Sequence, residues 1–241
     1  MRLMLNGQVT IITGSTGSLG SETTRLFLEN EASVVALYHS ENKFRHLHEA
    51  LIEYSDRLIG IKCDVTKADD CERMAQRTME TYGKVDSLIN IVGGWEGGYT
   101  LDKTSEKTWD KMMDLNAKSV FLCCKTILPY MVKRNYGRIV NISAKSSTPE
   151  GRMKNSSAYA ASKGAVRILT EAMTQEYLDK DININCVMPS TIDTPANRTM
   201  MPKADHSKWV SPRLIAETIL FLCSSQGSEI RGASIPIYGK S

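Results

Sequence analysis

Tyr159-Ala-Ala-Ser162-Lys163 places a phenol and an ammonium four residues apart. On a helix that spacing puts both on one face. A Lys cation beside a phenol favours the phenolate and lowers its pKa, which makes Tyr159 a proton donor or acceptor near neutral pH. A second constellation is Thr13-Gly14-Ser15-Thr16-Gly17-Ser18-Leu19-Gly20. Glycines at 14, 17 and 20 permit a tight turn and let the backbone approach a pyrophosphate. A helix starting there adds free N–H groups for the anion. The two motifs together suit a dinucleotide cofactor and a proton donor, the parts a hydride-transfer enzyme needs.

These groups have to be held by a scaffold, and the pattern along the chain supplies one. Apolar, β-branched runs at 8–13, 33–38, 58–63, 85–92, 138–142, 183–188 and 234–238 read as strands. Helical periodicity fills 18–29, 42–54, 67–82, 108–134, 158–178 and 212–224. The alternation predicts an α/β fold: one Rossmann-type, doubly wound parallel sheet of about seven strands with helices on both faces. No linker or repeat interrupts it, so residues 1–241 read as a single dinucleotide-binding domain. Ligands of such sheets bind beyond the carboxyl ends of the strands.

Composition narrows the class. The 30 basic and 27 acidic residues are well mixed, with no basic arm for nucleic acid and no apolar run long enough for a membrane span. The four His show no zinc spacing, so no metal is expected. Six cysteines without a CxxC read as buried thiols in a reducing compartment, hence a cytoplasmic protein.

The cofactor's second phosphate is addressed by the end of the second strand. A carboxylate there would bond a ribose 2′-hydroxyl and repel a 2′-phosphate. The chain has Tyr38-His39-Ser40 instead, so NADP is preferred over NAD, with Lys43 and Arg45 nearby either to assist or as solvated helix residues.

Over its whole length the chain resembles the short-chain dehydrogenase/reductase family. The resemblance rests on the Gly-rich loop, Asp64-Val65, Asn90 and Gly93, Asn116, Tyr159 and Lys163, the 189–194 segment and the glycine-bounded end at 232–239. It implies that Tyr159 protonates the substrate oxygen as hydride leaves the nicotinamide. Lys163 binds the nicotinamide ribose and tunes Tyr159, and Asn116 joins a proton relay. Asp64 and Val65 contact adenine, and Pro189, Thr191, Ile192 and Thr194 hold the carboxamide. It also implies a small-molecule substrate and a homo-oligomer, a dimer or a tetramer. Apolar residues on most sides of the 108–134 and 158–178 helices agree with a partner subunit.

The departures matter as well. Gly17 precedes Ser18 where the family has the reverse glycine placement. Counting from the fifth strand, the family's catalytic Ser falls on Ala144, leaving Ser143 or Ser146 to supply a hydroxyl or none at all. Gly93-Gly94-Trp95-Glu96-Gly97-Gly98 and Ala144-Lys145 are similar to stretches of dihydropteridine reductases, whereas Asn116 matches ordinary reductases. The reading is therefore an NAD(P)H-dependent reductase of a small carbonyl or quinonoid substrate. The alternatives are a pterin reductase, a 3-oxoacyl-acyl-carrier-protein reductase and a non-catalytic dinucleotide sensor. Trp95 and Trp209 can clamp a flat ring or close the core. Arg198 can meet a substrate anion or form a surface ion pair. Met153, Met200 and Met201 can form a lid or simply pack.

Overall fold

The strands carry consecutive apolar residues because the sheet is covered on both faces. In the computed structural model, which describes residues 5–240, Val34 and Ala36 enter one core and Val35 and Leu37 the other. The sheet has seven strands: β1 (Val9–Ile12), β2 (Ser33–Tyr38), β3 (Leu58–Lys62), β4 (Ser87–Asn90), β5 (Gly137–Ile142), β6 (Ile182–Pro189) and β7 (Ser234–Ile237). All pair in parallel in the order β3-β2-β1-β4-β5-β6-β7. The order reverses between β1 and β4, the crevice where an open α/β sheet binds its ligand.

One face is covered by α1 (Ser18–Glu29), α2 (Glu41–Ala50) and, later in the chain, Ile215 and Ile219 of the helix Pro212–Cys223. The other is covered by α3 (Ala68–Tyr82) with Cys71 and Met74, and by two long helices carrying Val120, Ile127, Val166 and Met173. Cys63, Cys71, Cys123, Cys124, Cys186 and Cys223 are all buried and free, as their spacing suggests.

The expected continuous helix over 108–134 is broken. It runs as α4 (Glu106–Met112), a π-turn (Met113–Lys118) and α5 (Ser119–Arg134). The π-turn inserts an extra residue, which swings Asn116 fully inward. Single π-turns of this kind often mark functional sites. β4 is shorter than expected because the Thr13 hydroxyl accepts from the amides of Ile91 and Val92 (2.9 and 3.0 Å), ending the ladder just past Asn90. The 42–54 helix stops at Ala50 and continues as a separate 3-10 turn, Ile52–Tyr54.

The remaining helices are α6 (Ser157–Glu176), a short α7 (Pro195–Met200) and α8 (Pro212–Cys223). The sequence reading lacks α7, although its start signals are present: Pro195 stands in the first turn and the Thr194 hydroxyl accepts from the Asn197 amide.

Candidate active site

The turn after β1 is compressed until only glycine fits. Gly14 has φ +65°, and a Cβ on Gly20 would stand 2.0 Å from the Gly14 carbonyl oxygen. Ser15 is buried, and its hydroxyl donates to the Leu37 carbonyl (2.8 Å), tying the loop to β2. That hydroxyl is therefore structural and not a ligand group. Gly17 and Ser18 are exposed and Leu19 packs inward. α1 begins with no side-chain cap and no acidic residue in its first turn, so its leading amides remain available to an anion. A tight glycine cradle below an uncapped helix start fits a dinucleotide pyrophosphate.

At the end of β2 the position itself carries Tyr38 and no carboxylate, but an acid from the next helix reaches its hydroxyl. The Tyr38 ring stacks on Phe44 (4.5 Å, 9° between planes) and its hydroxyl donates to Glu41 Oε2 (2.8 Å). Tyr38 is thus buried beneath α2 and brings an acidic residue from α2 to the strand end; His39 is exposed beside it. After β3, the Asp64 carboxylate accepts from both the Thr66 hydroxyl (2.6 Å) and the Thr66 amide, which hold it below the usual carboxylate range. Val65 is buried in the core. Asn90 also faces inward, donating to Asn141 Oδ1 (2.8 Å) and Cys124 Sγ, so its side chain secures β4 to β5 and is not turned toward a cofactor.

Lys163 lies deep in α6, with Nζ donating to the Ile142 carbonyl at the end of β5 (2.7 Å). A Cβ on Gly93 would stand 3.0 Å from that Nζ and 2.8 Å from Asn116 Oδ1, so this meeting point excludes any side chain. Asn116 accepts from the Gly94 amide (2.9 Å) and donates to the Gly94 carbonyl and to Ser162 Oγ (both 3.0 Å). Its side chain is fully engaged as a clamp. Ser162 is fully buried and passes the connection on to the Tyr159 carbonyl (2.8 Å). The sequence reading quoted Ser162 within the motif and gave it no part; its signal was only its place one residue before Lys163.

Tyr159 is half-buried, and its hydroxyl has no partner among the described residues. Burial pushes the phenol up to about 12 and pushes Lys163 down to about 8. The expected lowering of Tyr159 by its neighbour is therefore not found. One turn of buried helix removes both groups from water, which penalises both charges, and the Lys163 ammonium is engaged with Ile142.

Ala144 stands at the end of β5, extended and buried, opening the 3-10 turn Lys145–Ser147. The Ser143 hydroxyl donates to the Lys163 carbonyl (2.6 Å) and Ser147 Oγ to the Ala144 carbonyl (2.7 Å). Ser146 Oγ is buried without a partner.

Around the mouth, Glu96 accepts from Thr108 (2.9 Å) and Lys111 (2.6 Å), and Gly98 donates its amide to the Asn155 carbonyl (2.8 Å). The 93–98 loop is thus held at Gly94, Glu96 and Gly98, with Trp95 half exposed between the first two anchors. Met153, Met200 and Met201 are exposed and do not pack into the core. Trp209 packs on His206 (4.3 Å). Arg198 forms a two-pronged ion pair with Asp193 (2.6 and 2.8 Å), which matches the surface reading of this side chain. Beyond β6, Pro189 ends the strand, Thr191 accepts from the Val210 amide, Ile192 bridges Val210, and Thr194 caps α7.

A glycine cradle at the switch point and a Tyr–Lys helix beside it are matched by the model of the short chain dehydrogenases, over residues 8–205. The chain belongs to the short-chain dehydrogenase/reductase family. It is an NAD(P)-dependent oxidoreductase. It is 30% identical to a 3-oxoacyl-[acyl-carrier-protein] reductase of Thermotoga maritima, covering 98% of each chain. It is also 30% identical to the 3beta-hydroxysteroid dehydrogenase 2 of Eggerthella lenta, covering 98% of this chain and 95% of the relative. Among solved structures it resembles ElxO with NADP bound, with a TM-score of 0.90 and 25% identity over 96% of this chain and 97% of that one. Relatives of such different substrates share with this short-chain dehydrogenase/reductase the reaction type alone.

Proposed function

We propose that this enzyme works as a reductase, delivering hydride from NADPH to a small carbonyl or quinonoid substrate with Tyr159 as the proton donor. The observation that carries the donor role is the Tyr159 hydroxyl: half-buried, unpartnered among the described residues, and pushed up to about 12. Such a phenol is fully protonated at pH 7 and donates to a developing alkoxide; accepting a proton would require its pKa to be lowered first. The nicotinamide supplies the hydride. The chain supplies position and the proton.

In this reading Lys163 stands ready to bind the ribose at Gly93 and to charge the floor beneath Tyr159. Asn116 and Ser162 act through position, holding the Gly93–Gly94 turn against the Tyr159 turn of α6. Gly14 to Gly20 hold the pyrophosphate, Asp64 and Val65 the adenine edge, and the 189–194 segment the carboxamide. Residues 1–241 form one functional unit, cytoplasmic as its six free thiols suggest. Trp109, Phe121 and Ile168 remain exposed on α4, α5 and α6, which supports a homo-oligomer, a tetramer above all. The other apolar residues of those helices are largely buried within the chain itself.

A second reading, a reductase of pterin-like rings, is favoured by two observations. Ala144 leaves no hydroxyl at the family's serine position, and Trp95 presents an exposed indole on a pinned loop, a surface on which a flat ring can stack. The experiment is NADPH and NADH oxidation against a panel of ketones, 3-oxoacyl thioesters and quinonoid dihydropterin. Turnover of the dihydropterin alone selects the second reading; no turnover of any substrate with either cofactor overturns both.

A further inference from the structure

Lys163 is gripped at two points by consecutive residues at the end of β5. Its Nζ donates to the Ile142 carbonyl (2.7 Å), and its own main-chain carbonyl accepts from the Ser143 hydroxyl (2.6 Å). A carbonyl inside a helix already accepts from the amide four residues on. α6 therefore has no need of the Ser143 hydroxyl for its own hydrogen bonding. The contact instead ties α6 to the sheet at the level of Lys163.

Ser143 is 2% exposed, so its hydroxyl is closed off from a substrate. Its one proton has a clear destination. The Ser147 hydroxyl, 3.0 Å away, directs its own proton to the Ala144 carbonyl (2.7 Å), and the Lys163 carbonyl is the closer acceptor for Ser143. Farther along α6, Asn141 Nδ2 donates to the Thr170 hydroxyl (2.9 Å), and the Thr174 hydroxyl lies 3.0 Å from the Ile184 carbonyl. Those two ties end on side chains of α6. The Ser143 tie ends on the backbone of Lys163 and fixes the depth of that residue against β5. Depth matters there, because a Cβ on Gly93 would stand only 3.0 Å from Nζ.

We infer that Ser143 is a positioning residue whose hydroxyl sets the depth of Lys163, and through α6 that of Tyr159, without touching substrate or cofactor. This rests on the proposed roles of Tyr159 and Lys163 and adds the group that places them. Without the hydroxyl, the Lys163 turn of α6 draws away from β5, Nζ loses its seat on the Ile142 carbonyl, and water reaches the ammonium. Burial holds Lys163 down to about 8, so its titration reports that depth. The other titratable groups near it are Tyr159 on α6, pushed up to about 12, and Cys186 on β6, pushed up to about 11. Arg167, one turn on, pairs with Glu171 (2.7 Å). Gly93 and Asn116, on the facing side, do not titrate.

The test is an NMR titration of Lys163 through its labelled Cε in the purified full chain, alongside melting temperature and turnover. Ser143→Ala should raise the Lys163 midpoint by about one pH unit, toward the ordinary 10.5. On whichever ketone, 3-oxoacyl thioester or dihydropterin the wild type reduces, it should cut kcat by about tenfold and change KM by less than about twofold. Ser143→Thr keeps the donor and should return both readouts to within about twofold of the wild type. Thr170→Val cuts the tie farther along α6 and should lower the melting temperature while leaving the Lys163 midpoint and kcat in place. Should Ser143→Ala not fold, Ser143→Cys, of similar size and with a weak S–H donor, should show the same changes. A folded Ser143→Ala protein with the wild-type Lys163 midpoint, or with wild-type kcat, overturns the inference. So does an equal shift in Thr170→Val, or loss of the fold in both Ser143 variants, since either makes Ser143 a matter of stability alone. If no substrate is turned over, a shift confined to the Ser143 variants still supports the positioning, and it is the reductase reading that falls.

Discussion

The two ends of the sheet treat their polar groups in opposite ways. At the amino ends of the strands, buried Asp86 accepts from the Val9 amide (2.8 Å), from Arg134 (2.9 Å) and from Lys84 (3.0 Å). Beside it, buried Arg138 donates to the carbonyls of Gly137 and Asp181 and to the Asp181 carboxylate, and its guanidinium lies over Tyr136. At the carboxyl ends, the Tyr159 hydroxyl, the α1 amides, Lys43 and Arg25 stand without protein partners among the described residues, and Lys163, which donates to the Ile142 carbonyl, is buried where its charge is disfavoured. Asp86, met by three donors, contributes to stability even though the Nε of Arg138 beside it is buried without a partner among the described residues; a group kept open at the carboxyl ends is available to a ligand. Damage at the first end should appear in folding, and damage at the second in turnover.

The largest effect expected is Tyr159→Phe. The ring volume stays and the proton goes, so kcat should fall by roughly 10²- to 10³-fold while Kd for NADPH and the melting temperature barely move. Stopped-flow hydride transfer alongside calorimetry checks it; retained turnover would move the proton source elsewhere.

Next is Asp86→Ala at the opposite end. Removing the acid leaves a buried amide and two cations unpaired, which should cost about 3 kcal/mol of stability. The remaining folded enzyme should keep its kcat within about twofold. A stable Asp86→Ala protein with impaired turnover would erase the contrast between the two ends.

Lys163→Met sharpens the contrast because it should lose activity and gain stability. The folded-state pKa of Lys163 is about 8, below its ordinary 10.5, so burial disfavours its charge. Below pH 8 the Lys is charged in both folded and unfolded chains and the full penalty applies. Between about 8 and 10.5 the unfolded chain binds the extra proton, so wild-type stability rises with pH. Replacing Lys163 should therefore stabilise by about 1–2 kcal/mol at pH 7, after the lost bond to Ile142 is counted, and the gain should shrink above pH 8. Denaturant melts at pH 7 and pH 10 decide it; a gain that grows with pH would contradict the assigned direction.

The smallest effect expected is Ser146→Ala. On the proposed placement of Ala144 at the serine position, kcat/KM should remain within about threefold. A collapse of activity in a folded Ser146→Ala enzyme would mean that the partnerless Ser146 hydroxyl serves the substrate.

Much of this was legible in the residues. α1 and β2 fall where expected, residue for residue, because glycines and a change from period 2 to period 3.6 bound them sharply. The glycine cradle and the Tyr159–Lys163 helix face follow from spacing alone. Other features were not legible, each for a physical reason. The π-turn at Met113–Lys118 leaves no mark in a helical period, since it depends on Asn116 reaching Gly94 and Ser162 from distant segments. The pairing of Arg198 with Asp193 is one of several that a surface Arg can make, and only the fold of the 189–200 segment selects it.

The sequence by itself determined the parallel α/β architecture, the glycine-rich turn after β1 and the shared helix face of Tyr159 and Lys163, because local backbone demands and residue spacing suffice for these. The tertiary structure alone decided the charge states and the partners. A helix says that Tyr159 and Lys163 share a face, but burial sets one at about 12 and the other at about 8. Likewise the chain order puts Lys43 and Arg45 side by side, and only the packing of α2 on α1 brings Lys43 to Thr16. Desolvation and through-space contact are properties of the packed chain, and they depend on residues far away in sequence.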